Sequence, residues 1–160
     1  TPCNRWIMIK IVNEDFSLDE LYSNIKSDKN GAISIFLGTV RDDLFNKDKT
    51  IEAIFLECYE GLAIKQLEEI KNEAIIKWNL NKCVIVHRIG KIPLGDKIVF
   101  IMTSSPHREE SIRSNEFIID QLKIKAAFWK FEYYGNDSKI IKTKEKDLKK
   151  NLKWESVIKS

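Results

Sequence analysis

The stretch KCVIVHRIGKIPLGDKIVFIMT, residues 82–103, decides the class of fold. Its two ends, Lys82–Ile89 and Lys97–Thr103, are short runs rich in Val and Ile, side chains that suit a pleated and half-buried surface. Between them GKIPLGD carries two Gly and one Pro, which suit a turn. Two strands therefore follow one another with no helix between them. That order argues for an α+β domain with a mixed or antiparallel sheet, and against a doubly wound alternation of strand and helix.

Outward from this pair, the chain keeps the same mixed order. Trp6–Val12, Ala32–Val40, Ile51–Tyr59, Phe128–Tyr134 and Lys139–Thr143 read as strands, the last two joined by a turn at Gly135-Asn136-Asp137-Ser138. In the third of these, Ile51, Ala53, Phe55 and Glu57 share one face. Ser17-Leu18-Asp19-Glu20 forms a capping box that starts a short helix reaching about Lys26. Gly61 opens a long helix on which Ala63, Leu67, Ile70, Ala74 and Trp78 recur every three or four residues, a single buried stripe. A second long helix, Arg108 to about Lys125, carries Ile112, Ile118, Ile119 and Leu122. Arg41–Lys49 is a polar loop, and the Lys-rich tail 145–160 offers Trp154 as a docking anchor. No repeat or linker divides residues 1–160, so one domain is expected, with its core at about 6–144.

Composition narrows the function classes. A chain of 160 residues that is 43% hydrophobic and 32% charged matches a globular domain. Its net charge of +3 is too small to argue for nucleic acid by itself, but allows local basic pockets. No run of eighteen apolar residues is present, so no membrane span is expected. Thr1–Trp6 lack the features of a secretory leader, and the residues before Met8 read as a processed or appended end. Cys3, Cys58 and Cys83 are odd in number and form neither a CxxC pair nor a Cys/His cluster. A reducing cytoplasmic setting is the simplest reading.

Three segments could carry chemistry. Lys123 ends a helix and Lys130 lies seven residues on, in a strand. Alternation puts Phe128, Lys130 and Glu132 on one face, with Trp129, Phe131 and Tyr133 on the other. An ammonium among aromatics loses hydration, which favours its neutral form and suits it to proton transfer or anion capture. Edge lysines snorkelling past apolar neighbours give the same pattern, and periodicity alone favours that plainer account. In SSPHRE, His107 and Arg108 open a helix whose free N–H groups and dipole favour an anion, although capping by Ser104 or Ser105 is the alternative. Gly38-Thr39-Val40-Arg41 brings a strand into a polar loop, where Arg41 is either a phosphate contact or a solvated charge. His87, inside the apolar VIVHRIG, reads as structural. No cysteine neighbours a His or basic cluster, and no P-loop, Ser elbow or paired metal ligands occur, so no thiol nucleophile, metal or cofactor is expected.

Each signal is weak alone, but their order is specific. GAISIFLGTVR, ECYEGLAIKQLEEI, VHRIGKIPLGDKIVFI, SSPHREESI and LKIKAAFWKFE, running in sequence over roughly residues 31 to 134, resemble the molybdopterin synthase large subunit, the MoaE family. The resemblance implies an α/β-hammerhead domain that forms a homodimer within a heterotetramer. It implies a sulfurtransferase: two sulfurs pass from a small ubiquitin-like carrier, ending in a Gly-Gly thiocarboxylate, to cyclic pyranopterin monophosphate. The product is the dithiolene of molybdopterin. By motif, Lys123 and Lys130 would be catalytic, with Arg41, His107 and Arg108 binding substrate and Thr39, Val40, Phe131 and Glu132 lining the pocket. Ala127 departs from the more usual Pro, Cys58 from His, Glu60-Gly61-Leu62 from Pro-Gly-Met, and Asp42 from Asn. None touches the lysine pair. The competing classes are a non-catalytic phosphate-ligand or RNA-binding module using the same basic and aromatic surface, and a family member reduced to a scaffold.

Overall fold

The computed structural model describes residues 7–42, 51–126, 128–134 and 137–141. Trp6 and Cys3, the polar loop from 43 to 49, Ala127, the turn at Gly135-Asn136, and the tail with Trp154 lie outside the described residues. In chain order the elements are β1 (Ile7–Val12), α1 (Leu18–Ile25), β2 (Ala32–Thr39), β3 (Ala53–Cys58), α2 (Glu60–Trp78) and β4 (Lys82–Arg88). Then follow β5 (Gly90–Pro93), β6 (Lys97–Ser105), α3 (Arg108–Lys125), β7 (Phe128–Tyr134) and β8 (Asp137–Ile141). They build two four-stranded sheets, β1-β4-β6-β2 and β5-β3-β7-β8. Only β1 and β4 pair in parallel among the described strands; every other pair is antiparallel. The architecture is α+β, as the consecutive strands required.

Much of this follows locally. The Ser17 hydroxyl accepts from the Glu20 N–H at 3.3 Å and starts α1. The predicted stripe of α2 is buried throughout, from Ala63 to Trp78. Trp78 packs on Phe117 of α3 with ring centroids 5.2 Å apart. Each such large side chain removed from water contributes about 1.5–3 kcal/mol.

Three expectations change. GKIPLGD is not only a turn: its first four residues form β5 and pair with β3 in the other sheet. Gly90, at φ +83°, swings the chain out of the first sheet, and Ile92 alone anchors the short strand, too little for a periodic signal. In β3 the face made by Ile54 and Leu56 meets the core, whereas Phe55 and Glu57 turn outward, Phe55 against Tyr133 at 6.5 Å. Ala53 is buried as well, so both faces of this strand are apolar and alternation could not choose between them. On α3, Ile112 is 56% exposed, and Phe117 with Ile118 supplies the buried contact.

The first sheet has two distinct ends. Ala32 pairs with Ser105 at one, and Thr39 with Lys97 at the other. α3 runs back along β6 and β2, tied by Thr103 Oγ1 donating to the Ser111 carbonyl at 2.6 Å and Asn115 Nδ2 donating to Ser34 and Ile101 carbonyls at 3.0 and 3.1 Å. The helix thus starts at the Ser105 end and finishes at the Thr39 end. There a cluster of Val40, Ile51, Ile54, Leu56, Ile89 and Ile92, joined by Phe128, welds the two sheets together.

Candidate functional site

The Thr39 end of the molecule gathers most of the predicted site. β7 alternates as expected: Trp129 is exposed, Glu132 is buried, and Lys130 and Phe131 are partly buried. Lys130 lies opposite Leu56, Phe131 opposite Phe55 and Glu132 opposite Ile54, all on β3. Lys123 stands exposed in the last turn of α3, where the helix dipole favours a cation. Its neighbour Lys125 is held 3.6 Å from Glu73 of α2. Ala126 then leaves the helical conformation, and its carbonyl accepts from the Phe128 N–H at 3.0 Å. The two lysines therefore flank one tight connection between helix and strand.

The arginine limb sits at the same end. Val40 donates its N–H to the Asp96 carbonyl at 3.0 Å and accepts from Gly95 at 2.8 Å, which fixes the strand's exit. Its side chain is in the same apolar cluster as Leu56 and Phe128. Thr39 and Arg41 on either side are exposed. Gly38 permits this packing: a Cβ there would lie 2.8 Å from a Val99 methyl. Beneath the limb, the Arg88 guanidinium approaches Asp96 at 3.4 Å and Asp15 at 3.9 Å, and Lys97 Nζ contacts Asp15 at 3.1 Å. Lys97 first, then the Phe16 N–H, holds the Asp15 carboxyl below its ordinary range.

His107 and Arg108 stand elsewhere. His107 is the N-cap of α3 and makes no side-chain capping bond, while the Ser105 hydroxyl donates to the His107 carbonyl instead. Capping by Ser104 or Ser105 is therefore not what these residues do. The start of the helix remains open to an anion, although Glu109 and Glu110 in the first turn oppose one. Gly31, Pro106, His107, Arg108, Glu109 and Glu110 line a depression at this point. Along the eighteen residues of α3, Arg108 and Lys123 are about 22 Å apart. One chain brings Thr39, Val40, Arg41, Lys123, Lys130, Phe131 and Glu132 to one end and leaves His107 and Arg108 at the other.

Sequence reasoning read His87 of the His87-Arg88 pair as structural and gave it no part in the site. His87 stacks on Phe128 with centroids 4.0 Å apart and planes 12° from parallel, and its Nδ1 lies 3.0 Å from the Arg88 carbonyl. Burial pushes the imidazole down to about 4. The only signal was a His-Arg pair in an otherwise apolar strand. Both described thiols are poor nucleophiles: burial pushes Cys83 up to about 12, and burial followed by the Glu60 charge raises Cys58.

Comparison with known proteins identifies the family of the chain. Residues 11–125 match the family model described as MoaE protein. The chain is 40% identical over 124 residues to the molybdopterin synthase catalytic subunit of Haemophilus ducreyi, covering 78% of this chain and 81% of that protein. It is 35% identical to the protein of the same name from Escherichia coli, covering 88% and 93%. Among solved structures, molybdopterin synthase from Staphylococcus aureus superposes with a TM-score of 0.76 at 33% identity, over 82% of this chain and 95% of that one. Through its sequence and its fold alike, the chain belongs to the MoaE family.

Proposed function

We propose that this chain is a molybdopterin synthase catalytic subunit, a cytoplasmic sulfurtransferase that passes two sulfurs from a thiocarboxylated carrier to cyclic pyranopterin monophosphate. The observation that carries this reading is the placement of Lys123 and Lys130 on either side of one tight connection, at the end of the molecule that also holds Arg41. The donor is an anionic thiocarboxylate and the acceptor a phosphate diester, so their approach needs fixed positive charge. Lys123, exposed at the helix end, meets the carrier's thiocarboxylate and assists its attack on the pterin side chain. Lys130 holds the phosphate and protonates it as the ring opens. Arg41 adds charge, while Thr39, Val40, Phe131 and Glu132 shape the pocket. With both described thiols raised above their ordinary range, sulfur delivered by a second protein is the consistent route.

We infer from the same geometry that two copies work together. His107 and Arg108 are too far from Lys123 to serve its pocket, but a two-fold copy running antiparallel to α3 brings its own helix start to that end. The working unit is then a homodimer with two composite pockets and one carrier in each, a heterotetramer. The deciding experiment mixes the protein with thiocarboxylated carrier and cyclic pyranopterin monophosphate and assays dithiolene. Wild type forms product, and Lys123→Ala forms none while still binding the carrier. Normal turnover by that variant would sink the assignment.

A further inference from the structure

We infer that His87 is a positioning residue for Lys130, acting through Phe128. The inference rests on the proposed role of Lys130 and extends the pocket to a residue that does not touch substrate. β4 belongs to the first sheet and β7 to the second, and the described ring contact between these two strands is the His87–Phe128 stack. Its centroid spacing of 4.0 Å and its 12° tilt make it face-to-face, so sliding or rotation of Phe128 would open a gap. The His87 ring is itself fixed. The Arg88 carbonyl accepts a hydrogen bond, so Nδ1, 3.0 Å away, carries the proton and ties the imidazole to its own strand.

Phe128 is the first residue of β7, next after the exit from α3. Lys130 follows two residues later on the same face, so whatever sets the azimuth of Phe128 sets that of Lys130. On the far side, Cys58 and Leu56 of β3 hold the same two residues in register. The backbone ladder fixes how far along the strand Lys130 stands, and the stack fixes how the strand's edge is rolled against the first sheet. An ammonium that must protonate a phosphate is sensitive to that roll, since misplacement by about 1 Å can cost on the order of a hundred-fold in rate.

The test compares His87→Phe, which keeps a flat ring on Phe128, with His87→Leu, which fills similar space without one, both in the complete carrier-plus-pterin assay. His87→Phe is expected to keep kcat within about two-fold, and folded His87→Leu to lose roughly ten- to hundred-fold, with KM for carrier and pterin unchanged. Equal kcat in the two folded variants, or a change confined to KM, overturns the inference. Should His87→Leu fail to fold, His87→Phe decides alone, and a ten-fold loss in it overturns the inference. Wild type that makes no dithiolene refutes the proposed function instead, so the two failures are told apart.

Discussion

Arg108 and Lys123 occupy opposite ends of one helix, about 22 Å apart, although both belong to the same expected pocket. A site divided in this way can be complemented between chains. Arg108→Ala and Lys123→Ala should each be inactive alone. Refolded or co-expressed together they should regain activity, because each mixed dimer holds one pocket with neither substitution. Random pairing predicts roughly a quarter of wild-type sites. Dithiolene formation by the purified mixture measures it, and a mixture as inactive as its parents would mean the pocket is built within one chain.

Lys130 is assigned a proton as well as a charge. Arginine in its place keeps the charge but holds its proton too tightly to give it up. Lys130→Arg should therefore bind cyclic pyranopterin monophosphate nearly as wild type does, while product formation falls by roughly a hundred-fold. Calorimetric binding and single-turnover assay of the same preparation separate the two properties. Near-normal turnover would leave Lys130 a purely electrostatic role.

Gly31 supports the His107 limb by being small. Its N–H donates to the Ser105 carbonyl at 3.0 Å, and a Cβ on it would come within 1.9 Å of the Pro106 carbonyl oxygen. Backbone cannot step aside as a side chain can, so Gly31→Ala should cost about 1–3 kcal/mol and displace Pro106 with His107 behind it. Thermal unfolding reports the first effect and pterin affinity of the dimer the second. An unchanged Tm would contradict the packing described.

His87 makes stability depend on pH with a definite sign. Burial lowers its pKa from 6.5 in an ordinary setting to about 4 in the fold, so the folded state keeps the ring neutral. Above pH 6.5 both states are neutral and the full stability is present. As pH falls from 6.5 towards 4, the unfolded chain takes up a proton that the folded chain refuses, and stability drops. By pH 5 the loss attributable to His87 is at most about 2 kcal/mol. Urea unfolding at pH 7.5 and 5.0 should show this loss in wild type and its absence in His87→Phe; parallel losses would assign it to other groups.

Sequence and structure contributed different parts. The α2 stripe, the limits of α3 and the alternation of β7 were all legible, because each depends on neighbours a few residues away. The lysine pair and its accompanying residues came from the order of motifs, which periodicity alone had favoured as surface charge. The strand hidden in GKIPLGD was not legible, since Gly90 and Ile92 acquire their roles only against β3. Nor was the inward face of β3, where Ile54 and Phe55 are equally apolar and the choice depends on which sheet covers which side.

The amino-acid sequence by itself thus determined which residues are proposed to bear the chemistry, because charge, hydrogen-bonding capacity and motif order are properties of the chain. Only the tertiary structure decided which of them stand together. The direction of α3 against β2 and β6 sets Lys123 at the Thr39 end of the sheet and carries Arg108 to the far end. That direction comes from long-range contacts, such as Asn115 with Ser34 and Thr103 with Ser111, that no local pattern encodes.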